Sequence, residues 1–282
     1  MHTAAISTDE NTLVTFRATS SASGSALSYR YHILSNSWDQ SVVKVQNPTK
    51  EGVRAVQDPV SGLVYLAGGY QSDDSQMYVY NIDTDTMTML SMPSNYMVDR
   101  LFYAGVYLKS RRSIIYFGGT ANNNQSSQNV ISEFTPSNGG WLTLNTSGQS
   151  PPHRVDHCMA ASDDSSKVVV FGGRFDNGTF ARDLWILDVS SLTWTQGDPW
   201  FEPRTATTCT VAGSIFLAWG GNNGQRTVDG TIVLYDLNSG QYISSYTPPS
   251  YYANGATNNG YGGSAGLPND SPNHVRRKRK QW

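Results

Sequence analysis

A diglycine preceded by a short apolar run occurs four times in this chain: VYLAGG ending at Gly69, IIYFGG at Gly119, VVVFGG at Gly173 and FLAWGG at Gly221. Successive copies are 50, 54 and 48 residues apart. A period this regular means that one supersecondary unit is repeated, each unit burying its apolar surface against its neighbours. Two further landmarks keep the phase. Arg54, Arg100, Arg154 and Arg204 each precede an apolar stretch leading to a diglycine. Downstream, the alternating segment DLWILD (183–188) is followed, six residues after Asp188, by Trp194. The same register gives Asp236 then Tyr242 and Asn81 then Met87, and with one insertion Phe134 then Trp141. Period-2 alternation bounded by turn residues reads as strands, so each unit has four, here named a to d. Strand a follows the arginine, b ends at the glycines, c carries the alternation and d the aromatic position.

A fifth, degenerate unit opens the chain. His2–Asp9 matches His157–Asp164 in character, Phe16 falls on Phe171, Arg17-Ala18 take the diglycine slot, and Trp38 takes the place of Trp194. Composition agrees with an all-β reading. Of 282 residues only 15% are charged, while Gly (26) and Tyr (16) are plentiful, a mixture poor in helix formers and rich in turn formers. The net charge of −2 excludes a globally basic nucleic-acid binder, and no specific nucleic-acid partner is expected. No apolar run is long enough to span a membrane, and the first residues have neither the basic nor the apolar region of a signal peptide.

The apolar run with Gly-Gly, the downstream aromatic position and the period near 50 resemble kelch repeats, whose units form the blades of a β-propeller. The resemblance covers residues 1–246 and departs from the family pattern at Arg17-Ala18 and Met87. It implies an all-β, kelch-type β-propeller with blades at about 1–46, 50–92, 98–146, 153–197 and 203–246. Relatives more often carry six or seven blades and close the ring with strands from both ends. Here the first unit starts at strand a and the last ends at strand d, so five blades either close directly or form an incomplete ring from a longer parent, the second being expected. The tail, 247–282, is Gly/Asn/Ser-rich, is expected to be disordered, and ends in the basic run Arg276–Lys280. Membrane-anchored fungal kelch proteins have a similar stalk and basic run around an apolar helix that this chain lacks. The basic run is also compatible with nuclear import, a membrane-surface contact or a plain solvated terminus, and location stays open.

The resemblance implies a scaffold that binds a protein partner without catalysing a reaction. Its alternative is an extracellular propeller of the galactose-oxidase or carbohydrate-related kind, which needs two His, two Tyr and a thioether-forming Cys around copper. Of five histidines, His153 and His157 lie near each other in sequence, but Pro151-Pro152 puts His153 in a loop, and Cys158 should point away from His157. No cofactor, metal or catalytic residue is assigned. Cys158 and Cys209 fall on inner strands of neighbouring blades, where buried thiols are expected, with a disulfide between them as the second reading.

Blade topology gathers the d–a and b–c loops on one face, and this face is the expected binding surface. The phased arginines Arg54, Arg100, Arg154 and Arg204 either ring its channel as a basic mouth for an acidic or polar peptide, or bond loop carbonyls between blades. The b–c loops add Tyr70, Arg174, Phe175 and Arg226, and the d–a loops add Tyr96, Trp200 and Phe201, residue types enriched at interface hot spots. Trp200 and Phe201 have a second reading, as packing between blades. Four glycosylation sequons, at Asn124, Asn145, Asn177 and Asn269, are no more than so much Asn, Ser and Thr gives by chance.

Overall fold

In the computed structural model, residues 3–17, 27–42, 52–69, 76–121, 130–228, 230–248 and 250 are described. The strands belong to one compact unit, residues 1–246. Blade 1 is β1 (Thr3–Ile6), β2 (Thr12–Arg17), β3 (Leu27–His32) and β4 (Ser37–Val42). Blade 2 is β5 (Ala55–Gln57), β6 (Leu63–Leu66), β7 (Gln76–Asn81) and β8 (Thr86–Ser91). The third segment holds β9 (Arg100–Leu101), β10 (Ala104–Leu108), β11 (Ser113–Phe117), β12 (Thr120–Ala121), β13 (Ile131–Thr135) and β14 (Gly140–Leu144). Of these, β10, β11, β13 and β14 form blade 3, while β9 and β12 clip together beside it. Next comes β15 (Ser147–Gly148), then blade 4 with β16 (Cys158–Ala161), β17 (Lys167–Phe171), β18 (Leu184–Asp188) and β19 (Thr193–Gln196). Blade 5 is β20 (Thr208–Ala212), β21 (Ile215–Trp219), β22 (Val233–Asp236) and β23 (Gln241–Tyr242). Each blade is an antiparallel meander in chain order, giving a five-bladed all-β propeller. Blade 4 has an addition that the repeat pattern does not announce: β15 runs parallel to β19 and extends the outer edge.

The aromatic landmark is a cross-strand pair in every blade. Tyr31 faces Trp38, Tyr80 faces Met87, Phe134 faces Trp141, Leu187 faces Trp194 and Tyr235 faces Tyr242. The degenerate first unit keeps this register, since Thr3 pairs with Phe16 as Cys158 pairs with Phe171.

The inner strands lie side by side in the order β1, β5, β10, β16, β20. Four apolar clusters fill the four junctions between successive blades. Between blades 3 and 4, Phe117 and Ala104 meet Val168, Val170, Trp185 and Trp194. Between blades 4 and 5, Val169, Phe171 and Leu184 meet Phe216, Ala218 and Val233. A blade is therefore apolar on both faces, as a stacked unit must be. Among the described residues, no helix is long and apolar enough to cross a membrane.

Candidate functional site

The phased arginines act together with the glycines. Arg100 donates to the Gly118 carbonyl at 3.0 Å, Arg154 to the Gly172 carbonyl at 3.0 Å, and Arg204 to the Gly220 carbonyl at 3.4 Å. The backbone carbonyl of each arginine accepts from the second glycine of the preceding blade: Gly69 N–H to Arg100 at 2.9 Å, Gly119 to Arg154 at 2.9 Å, and Gly173 to Arg204 at 2.7 Å. Both glycines of each pair have positive φ, between 66° and 105° in these four copies. A Cβ at Gly118 would stand 2.6 Å from the Arg154 carbonyl oxygen, and one at Gly172 would collide with that of Arg204. Only glycine admits so close an approach of the next blade.

This clasp corrects two expectations. Arg154 and Arg204 are completely buried, so they brace blade junctions and offer no guanidinium to a partner. Arg154 also holds Asp183 in a bidentate ion pair at 2.6 and 2.8 Å, and Trp185 Nε1 donates to the same carboxylate at 2.7 Å. Burial opposes ionisation of Asp183, but the Arg154 bonds and charge hold its pKa below the usual carboxylate value. Arg54 is out of phase with the other three. Ala55 pairs with Leu66 as Met159 pairs with Val170, which puts Arg54 on the inner strand at the place of Cys158, four residues past the clasp position. Its Nε donates to the Tyr103 carbonyl at 3.3 Å.

Arg54 lines a cavity of about 670 Å³ with Phe102, Asp156, Met159, Ala206 and Thr208. Its wall contains a backbone chain absent from the sequence reading. Phe102 N–H donates to Gly52 O at 2.8 Å, Asp156 to Phe102 at 2.9 Å, and Ala206 to Asp156 at 2.8 Å. These residues share the left-handed conformation, with φ of 81°, 56°, 55° and 52° from Gly52 to Ala206. The next residue is Tyr103, His157 or Thr207, three past each phased arginine. Tyr103 Oη donates to the Ala67 carbonyl of the preceding blade. His157 wedges between blades 3 and 4 against Phe117 and Gly118; burial first, then the positive Arg154, lowers its pKa well below the ordinary value. The constant offset from the arginines was the available signal.

Cys158 and Cys209 also line this cavity, and they are joined in a disulfide. The buried-thiol expectation is thereby corrected. Inner strands of adjacent blades bring their Cα atoms to 6.0 Å, within bridging range. The Cys158 sulfur is thus committed to Cys209. His153 bonds Asp176 and the Gly119 carbonyl, each at 2.6 Å.

Among the described residues, the loops of blades 4 and 5 carry exposed groups. Trp200 is half-buried, with its ring 4.6 Å from Phe201 and 4.7 Å from Tyr242. Phe201 is 68% exposed. Arg174 and Arg226 are exposed and Phe175 half-buried, with the Arg154 guanidinium 5.0 Å from the Phe175 ring. Three loops interlock here. Trp200 N–H donates to the Arg182 carbonyl at 2.8 Å, Asn223 Nδ2 to Glu202 at 2.7 Å, and Gly224 sits against the Phe180 ring. Tyr96 stands apart, half-buried on Trp141 with ring centroids 5.2 Å apart. Arg100 is half-buried in its clasp. Tyr70 and the tail beyond residue 250 lie outside the described residues.

Among known proteins, the family described as the KLHDC2/KLHL20/DRC7 Kelch-repeats domain matches residues 104–257, over half of the chain. The chain belongs to the kelch-repeat family. A kelch repeat-containing protein of Arthroderma benhamiae is similar at 32% identity over 124 residues, 40% of this chain and 19% of that protein. The mouse Rab9 effector protein with kelch motifs is 26% identical over 181 residues, 62% of this chain and 47% of that protein. Host cell factor of Drosophila melanogaster is 28% identical over 127 residues, 38% of this chain and 8% of that protein. The chain thus spans less than half the length of each of these relatives. Kelch propellers generally bind proteins.

Proposed function

We propose that this kelch domain is a non-catalytic scaffold that takes a protein partner on the loop face of blades 4 and 5. The observation that carries the reading is the interlocked loop set around Trp200, with Phe201, Arg174 and Arg226 exposed on it. A rigid platform lowers the ordering cost of binding. Exposed aromatic and arginine side chains then supply anchors of the kind that dominate interface energies. The buried arginines act indirectly, by fixing the blades from which the loops project.

The test is peptide-library selection on the immobilised full chain. Selected peptides should bind Phe201→Ala and Arg226→Glu at least ~10-fold more weakly, a loss of about 1.4 kcal/mol. Asp83→Ala, on the c–d loop of blade 2, should leave binding unchanged. Binding that survives both loop-face substitutions overturns the assignment of the face.

A further inference from the structure

The residue after each left-handed position of the cavity wall is set into a junction between blades, and four blades use four different side chains there. Blade 2 has Val53, which carries no polar group. Blade 3 has Tyr103, whose Oη donates to the Ala67 carbonyl of blade 2. Blade 5 has Thr207, whose Oγ1 donates to the Trp219 carbonyl at 2.7 Å. Blade 4 has His157, completely buried, and among the described residues neither ring nitrogen has a hydrogen-bond partner. A buried polar group left unbonded is costly, so this histidine departs from the apolar or bonded side chains of the other blades.

Packing closes over the ring from both blades. Phe117 of blade 3 meets it edge-on, with centroids 5.6 Å apart. A Cβ on Gly118 would stand 2.6 Å from its Cε1, and one on Gly173 of blade 4 would stand 2.8 Å from the His157 Cβ. A protonated imidazole has two N–H donors and a full charge, and burial without partners strongly disfavours both. The surrounding charges oppose a proton as well: Arg154, Arg54 and His153 all act against it. Arg100, bonded to the Gly118 carbonyl, is a further cation on the blade 3 side. Nearby carboxylates are committed elsewhere. Asp183 holds Arg154, Asp176 holds His153, and Asp156 interacts with Arg174 and Arg54. A proton settles on His157 only when the ring leaves the junction.

We infer that His157 is an acid-operated latch between blades 3 and 4: once protonated, its ring parts the two blades there, and the Cys158–Cys209 bond keeps blade 5 with blade 4. In the open junction the imidazole regains its ordinary pKa of 6.5, whereas in the closed one burial holds it well below that value. The closed form therefore binds fewer protons. Its stability is complete above 6.5 and falls as pH drops below 6.5, until the closed form is itself protonated. One such proton makes opening up to roughly 30-fold more frequent at pH 5.0 than at pH 7.5.

Amide hydrogen exchange of the full chain, corrected for the intrinsic effect of pH, tests the latch. Two amides bridge blades 3 and 4: Gly119 N–H to the Arg154 carbonyl and Asp156 N–H to the Phe102 carbonyl. Both should lose protection by about 10- to 30-fold between pH 7.5 and 5.0. Gly69 N–H, which bridges blades 2 and 3, and Ala206 N–H, which bridges blades 4 and 5, should keep theirs. His157→Tyr, the side chain of blade 3, should abolish the pH dependence at Gly119 and Asp156, and His157→Phe replaces it should the tyrosine variant fail to fold. Protection at Gly119 and Asp156 that does not change with pH overturns the inference. So does an equal loss at all four amides, or a pH dependence that survives the substitution.

Discussion

Blades 4 and 5 are built on one pattern and live in different surroundings. Both run four antiparallel strands, both end strand b on an aromatic followed by Gly-Gly, and both carry a buried arginine bonded to the first glycine carbonyl. In blade 4, Phe171 is sealed by the next blade and Gly172 is pressed against the Arg204 carbonyl. In blade 5, Trp219 stands in solvent and Gly220 has open space beside it. The arginines differ as well: Arg154 neutralises Asp183, whereas Arg204 donates to the carbonyls of Gly220 and Thr231 and lies 4.0 Å from Glu202. The repeat motif dictates strand register and turn geometry. What each face buries is dictated by the neighbour: among the described residues, apolar clusters join blade 4 to two other blades and blade 5 to one.

The largest expected effect contrasts Phe171→Ala with Trp219→Ala. Removing a fully buried aromatic side chain costs about 3–5 kcal/mol, whereas an exposed one changes stability by about 0.5 kcal/mol or less. Urea unfolding of dilute protein reads both, and equal losses would break the contrast. Cleaving the Cys158–Cys209 bond comes next. It ties blade 5 to blade 4, on which it packs, across a sequence separation of 51 residues. The Cys158→Ala/Cys209→Ala protein should lose about 2–4 kcal/mol. Hydrogen exchange should show the loss concentrated in β20–β23. Uniform loosening of all five blades would mean that blade 5 is no weaker than the rest.

The part of this fold that repeats was legible in the sequence. The diglycines, the cross-strand pair ending at Trp38, Met87, Trp141, Trp194 or Tyr242, and the degenerate first blade all follow from a period that the sequence displays. Non-repeating contacts were not legible. Arg54 looks like its three companions until the Ala55–Leu66 pairing shows it four residues out of phase. The disulfide depends on how close adjacent inner strands come, a distance that no spacing along one strand reveals. Asp183 is an ordinary residue of an alternating strand until the fold brings Arg154 to it. Phe201, Arg174 and Arg226, by contrast, fall on loops and stay exposed, as their place between strands leads one to expect.

The smallest expected effect separates Asp156 from Ala206, which hold the same place in the left-handed chain along the cavity wall. Both have φ near 50°, where asparagine is better tolerated than most side chains. Asp156 adds a charge. Burial raises its pKa above the usual carboxylate value, despite the nearby positive charges of Arg174 and Arg54. A folded pKa raised above the unfolded one means that the folded chain binds the proton more tightly. The contribution of Asp156 to stability is therefore complete below the ordinary value of 3.8 and is lost as pH rises through the folded value. Asp183 has the opposite sign: its folded pKa is depressed, so its contribution is present above 3.8 and fades as pH falls through the folded value. Asp156→Asn removes the first group and leaves the second. It should raise Tm by about 1–2 °C near pH 7, the size expected for about 0.5 kcal/mol in a chain of this length. The gain should shrink towards zero as pH falls well below the ordinary value of 3.8, where wild-type Asp156 is protonated in both states. Ala206→Asn, at the matching place in blade 5, should give a change that does not vary with pH. A pH-independent gain at Asp156 would mean that backbone strain alone distinguishes the substitution, and that the buried charge of blade 4 has no energetic consequence.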